Sequence, residues 1–126
     1  MDATRDTKLR EIVETARREN QKAQRRTREA VKRARAFLPE LVKAFRTIDP
    51  DLRLIVLFGS LAEGTVRGEH FDLDIAVRSE RYLQLVAWAL DQDYKIDVID
   101  LDAARSHIAE RIRSRGEVLY AAEEGL

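Results

Sequence analysis

The chain has 126 residues, 44% hydrophobic and 37% charged, and 23 Lys and Arg are balanced by 23 Asp and Glu; this suits one modest core and leaves little length for a second. It contains no cysteine, which excludes a disulfide framework and a thiolate metal centre. No apolar run approaches membrane-spanning length, and Met1-Asp-Ala-Thr-Arg5 lacks an apolar signal core, so a cytoplasmic protein without a membrane partner is expected. The zero net charge conceals a split. Residues 1–50 carry 14 basic and 8 acidic side chains, and residues 51–126 carry 9 and 15, which gives a basic amino-terminal arm and an acidic body.

Residues 4–36 contain neither Gly nor Pro and are dominated by Ala, Arg, Glu, Lys and Gln, a composition that predicts a long helix. Leu9, Ala16, Ala23 and Ala30 recur at intervals of seven beside Val13, Asn20, Thr27 and Ala34. This stripe is small or polar in its middle, so it associates weakly on its own and suits a solvent-exposed helix or one packed on a partner. The basic run from Arg17 to Arg35 reads as a solvated face with Glu11, Glu14, Glu19 and Glu29 as helical partners, or as a surface for an acidic protein or another copy. The arm lacks stacking aromatics, which weighs against nucleic acid.

Pro39 is expected to kink or restart the helix, after which Leu41, Val42, Phe45 and Ile48 supply a face for a sheet. The chain thus divides into a basic helix, residues 1–36, and a domain, residues 37–126. Asp49-Pro50-Asp51 predicts a turn into a first strand over 52–58, apolar enough to be covered on both faces. A short helical turn follows Gly59-Ser60, then a loop holding Gly64 and Gly68. A second strand is expected over 72–78, a helix over 80–91 capped by Ser79-Glu80, and a third strand over 94–101. Asp102 would cap a last helix over 103–115, Gly116 would end it at C′, residues 117–120 would pack back, and residues 121–126 would fray. The result is an α/β (α+β) domain with a small mixed sheet, flanking helices and a long amino-terminal helix.

Asp72 and Asp74, two residues apart at the start of Ile75-Ala-Val77, share one strand face. Asp97, inside Ile96-Asp-Val-Ile99, can converge on them from a neighbouring strand. Clustered carboxylates repel unless a divalent cation neutralises them, and Mg²⁺ suits all-oxygen ligands. An ionised Asp97 between Ile96 and Val98 is costly without a partner. Asp100, three residues on, faces the other way and suits the turn before the last helix. Gly59-Ser60, directly after a strand, offers backbone N–H groups and a hydroxyl to a phosphate; Ser60 equally suits a helix cap. Together these parts describe a metal-dependent nucleotidyl-transfer site. Arg67 and Lys95 read as exposed charges with phosphate binding as the rival role, His70 and His107 as surface residues, and Trp88 as packing.

Leu57-Phe-Gly-Ser-Leu-Ala-Glu-Gly64 with Phe71-Asp-Leu-Asp-Ile-Ala-Val77 resembles the G-S…D-x-D signature of the DNA polymerase β-like nucleotidyltransferase superfamily, over roughly residues 37–120. The small size points to its minimal nucleotidyltransferase (MNT) branch, whose members often act as antitoxins beside a helical HEPN-domain toxin. The resemblance implies Asp72, Asp74 and Asp97 as catalytic and metal-binding residues, Gly59 and Ser60 as nucleotide-binding residues, Mg²⁺ as cofactor and ATP as substrate. It further implies AMP transfer to a protein hydroxyl, a tyrosine of a HEPN-type toxin. The amino-terminal helix, which the resemblance does not cover, offers a homo-oligomer as a further association. Three departures stand out: eleven residues, not ten, separate Ser60 from Asp72; Phe71 precedes the first Asp where Ser is common; and many relatives carry Arg at the positions of Leu61 or Glu63, where the acid Glu63 would repel a triphosphate if it faced the site. The rival class is a binding protein with a weak or vestigial site that neutralises a partner through its long helix. A free-standing nucleic-acid or antibiotic nucleotidyltransferase shares the site but lacks an evident substrate domain here.

Overall fold

The structure, a computed structural model, describes residues 3–122. Helix α1 spans Ala3–Ile48 and is followed by β1 (Leu54–Phe58), the short α2 (Ser60–Glu63), β2 (Leu73–Arg78), α3 (Tyr82–Leu90) and β3 (Ile96–Asp100). A 3₁₀ turn (Leu101–Ala103), α4 (Ser106–Arg115) and β4 (Glu117–Ala121) complete the chain. The sheet order is β3-β2-β1-β4, with β2 and β3 parallel and the other pairs antiparallel. It is the small mixed sheet expected from the sequence.

Alternation along β1 builds two cores. Ile55 and Leu57 meet Leu38, Leu41 and Phe45 of α1 and Leu85 and Ala89 of α3 on one face. Leu54 and Val56 meet Leu101, Ala109 and Ile112 on the other. β1 is therefore covered on both faces, as its unbroken apolar run requires. Trp88 lies edge-on to Phe45 at 5.6 Å and parallel to Phe37 at 6.2 Å, and Phe37 stacks on Tyr94 at 4.7 Å; packing is its role. Tyr82 buries its ring partly while its hydroxyl donates to the Val98 carbonyl at 2.7 Å, which ties α3 to β3.

Four expectations about the secondary structure are corrected. The helix does not restart at Pro39: Pro39 lies on the exposed side while Leu38 and Leu41 are anchored in the core, so packing on either side carries the helix through the lost backbone hydrogen bond. α1 thus runs unbroken from the arm into the domain, with burial beginning at Ala30. Gly116 is not left-handed: its φ is −77°, and a side chain there would collide with the Ile112 carbonyl and Val56, so close approach is what demands glycine. Asp102 does not cap α4, whose N-cap is Arg105; its carboxylate pairs with Arg78 at 3.0 Å and Arg53 at 3.6 Å. Residues 117–120 do pack back, as strand β4 on the edge of β1. Fraying was expected from residue 121, but Ala121 belongs to that strand, and residues 123–126 lie outside the described residues.

Asp49 is the one buried charged residue among those described. Its carboxylate accepts from the Ser79 hydroxyl at 2.5 Å and the Asp51 N–H at 2.9 Å, so it joins the end of α1 to the turn before α3. Leu41→Ala is expected to lower the unfolding free energy by about 2–5 kcal/mol in urea denaturation, whereas Leu83→Ala, on the exposed side of α3, should change it by under about 0.5 kcal/mol.

Candidate active site

The antiparallel register places Phe58, the last residue of β1, opposite Asp74. The chain must leave β1 at Gly59, which takes φ 79°, a conformation side chains rarely adopt. A Cβ at Gly59 would run into the Asp74 carboxylate. Glycine is required here twice over, for the turn and for the approach of the backbone to an acid. Ser60 opens α2 directly afterwards and is partly exposed.

The parallel register sets Asp74 beside Asp97, strand neighbours about 4.8 Å apart. Asp72 stands one residue ahead of β2, with its carboxylate 3.5 Å from Lys95 Nζ. Burial, then the charges of Asp97 and Asp72, push the Asp74 carboxyl from its ordinary 3.8 up to about 6, against a smaller opposing pull from Lys95. Asp97 is exposed. The desolvation expected to force a partner on it therefore does not operate, because the strand turns it outward between inward-facing Ile96 and Val98. Asp100, as expected, serves the turn: its carboxylate accepts from the Asp102 N–H at 3.1 Å.

These donors suit a hard divalent cation in kind, being carboxylate oxygens whose mutual repulsion already raises the proton affinity of Asp74. Among the described residues, no three acidic or histidine side chains are drawn together closely enough to enclose an ion. Asp72 is turned toward Lys95.

Side chains outside the motif hold this corner. Glu63 is mostly buried and accepts from Arg111 at 3.0 Å and Arg115 at 3.2 Å. The Arg111 hydrogen bond, with help from Arg115 and against desolvation, keeps its carboxyl below the usual range. The acid that threatened to repel a triphosphate is therefore engaged by α4. Arg35 donates to the Leu61 carbonyl at 3.2 Å and to Glu117 at 2.6 Å, which fastens α2 to α1 and β4. Sequence reasoning put Arg35 in a solvated basic run. The one available signal was its place beside the Ala34 and Leu38 stripe, and Arg111 and Arg115 were legible only as an i,i+4 pair. His70, His107 and Arg67 are exposed.

The family model described as Polymerase beta, Nucleotidyltransferase matches residues 40–125. The chain is 32% identical over 92 residues to the protein adenylyltransferase MntA of Shewanella oneidensis, covering 68% of this chain and 66% of that protein. The match thus spans just under two thirds of the curated relative's length. A crystal structure of a toxin–antitoxin with AMP-PNP aligns with TM-score 0.58 at 28% identity, over 69% of this chain and 75% of that one. A structure of the tri-AMPylated Shewanella oneidensis HEPN toxin in complex with its MNT antitoxin aligns with TM-score 0.54 at 25% identity, over 70% and 72%.

Two titrations test the geometry. Asp97→Asn should lower the Asp74 pKa from about 6 without restoring 3.8, since burial remains; carbon-detected NMR reads this, and an unmoved pKa would refute the pairing. Because the folded-state pKa lies above the unfolded value, folding without metal should be most favourable below about pH 4 as far as Asp74 is concerned, and this contribution is lost as pH rises through about 6. The wild-type stability profile minus that of Asp74→Asn should show that slope.

Proposed function

Because the chain belongs to the polymerase beta nucleotidyltransferase family, we propose that it transfers AMP from ATP to a hydroxyl of a partner protein, a tyrosine of a HEPN-type toxin, and thereby acts as an antitoxin. One observation carries this reading: the register that brings Asp74 beside Asp97 also brings the Gly59-Ser60 turn against Asp74. The glycine turn and the carboxylates thus meet at one end of the sheet. The relatives supply the nucleotide and acceptor: one is a protein adenylyltransferase, one complex holds AMP-PNP, and another holds an AMPylated HEPN toxin.

Asp72, Asp74 and Asp97 would hold Mg²⁺, which when bound supplies neutralisation of the phosphates and carboxylates. The Gly59 turn lets backbone N–H groups approach the triphosphate, and Ser60 adds a hydroxyl. The acceptor oxygen bonds to the α-phosphorus as the bond from that phosphorus to the bridging oxygen of the β-phosphate breaks. Pyrophosphate leaves with the electron pair, and Asp97, open to solvent at the strand edge, takes the hydroxyl proton. None of the helices among the described residues is long and apolar enough to cross a membrane, which is consistent with work in the cytoplasm, where ATP is at hand.

A binding-only antitoxin is the second reading. It is favoured by the carboxylates not forming a closed three-ligand group among the described residues. One substitution separates the two. Asp74→Asn should cut transfer at least about 100-fold and leave the fold and the partner complex intact. The readout is intact mass spectrometry of the neighbouring open reading frame's product after incubation with Mg²⁺ and ATP. A gain of one or more AMP units with the wild type alone supports the enzyme; equal complexes with no gain in either sample support binding alone.

A further inference from the structure

The face of α1 that packs on the sheet does not stop where the sheet stops. Ala30, Ala34, Leu38, Leu41 and Phe45 are its buried residues. Leu9, Ala16 and Ala23 lead into Ala30 at intervals of seven, and Leu9 precedes Phe45 by about ten helical turns. The same stripe therefore continues, in phase, beyond the body. There it has no cover: every residue from 3 to 26 is exposed, with Leu9 at 55%, Ile12 at 64% and Val13 at 47%. An apolar triad at i, i+3 and i+4 on a standing helix is the pattern of a docking face. The family match begins only at residue 40, so the family's own machinery does not account for this arm.

Two further observations indicate what covers it. Residues 3–29 carry nine Lys and Arg against five Asp and Glu, so two such arms repel each other. Their shared stripe offers little but Ala16, Asn20 and Ala23 inward of the triad, too little for stable self-pairing. An acidic partner is attracted. The root of the arm also borders the loop that leads to the carboxylates. Arg26 pairs with Glu69 at 3.6 Å, three residues before Asp72, and a recess of about 430 Å³ lies between residues 20–28 and residues 66–69.

We propose that this arm is the docking helix for the protein acceptor: a helical face with an apolar seam and acidic margins lies along Leu9, Ile12 and Val13, and the arm directs it toward the loop before Asp72. This rests on the acceptor being a protein, as read above, and binding can be tested apart from transfer. The full chain with Leu9→Ser, Ile12→Ser and Val13→Ser is compared with the wild type, using the neighbouring open reading frame's product as probe. Calorimetry gives its Kd, and mass spectrometry gives the rate against its concentration. Circular dichroism checks the helix. As a second variant, Arg17→Glu keeps the apolar face and changes only its basic margin.

The triple variant should raise Kd and acceptor KM at least tenfold, with kcat and the KM for ATP unchanged. Arg17→Glu should weaken binding several-fold in low salt and less in high salt. An unchanged Kd in the triple variant overturns the docking role, whether light scattering then shows the arm holding a second copy or a shift assay shows it holding RNA. Absence of transfer by the wild type would instead overturn the AMP-transfer reading, and Kd would still decide the docking role.

Discussion

The structure depends on β1 being buried on both faces. Because Ile55 and Leu57 are committed to one core and Leu54 and Val56 to the other, a slip of one residue would exchange the two sets and spoil both cores. That constraint fixes the antiparallel partner of each residue in β2 and so brings Asp74 opposite Phe58. It also determines where the chain must turn, and the turn falls at the residue able to adopt φ 79°. The candidate site is a consequence of core packing, since Asp74 is the last β2 partner of β1 and the Gly59 turn is the first position past the end of a register set by apolar side chains.

The electrostatics follow from this placement. Asp74 is close enough to the core for burial to be the leading cause of its raised proton affinity, while Asp97 beside it is exposed. Two carboxylates on adjacent strands thus differ in environment, one held back from ionising by the core and one open to solvent. Lys95, 3.5 Å from Asp72, partly balances the cluster at its outer edge.

Around the site, long-range polar contacts do what so small a core cannot. Arg35 reaches from α1 to α2 and β4, Glu63 joins α2 to α4, and Asp49 joins the end of α1 to the turn before α3. α2 has four residues, too few to hold itself, and is kept in place by Arg35 on one side and by Arg111 and Arg115 on the other. Arg26, paired with Glu69, ties the root of the arm to the body. The arm's helicity comes from composition, with Ala, Arg, Glu, Lys and Gln throughout.

By itself the sequence determined what depends on neighbours along the chain. The uninterrupted helix-forming arm, the three apolar strands, the Gly59-Ser60 turn and the carboxylates at Asp72, Asp74 and Asp97 were legible because periodicity, breakers and motif spacing are local properties. The tertiary structure decided what depends on distant segments. It tolerated Pro39 because the core grips the helix on both sides of it. It required glycine at 116 because Val56, sixty residues earlier, leaves no room for a side chain. It turned Glu63 toward Arg111 and Arg115, and it exposed an Asp97 that its apolar neighbours had suggested was buried. Burial and ion pairing belong to pairs of segments, and a run of residues cannot state which segment will lie across from it.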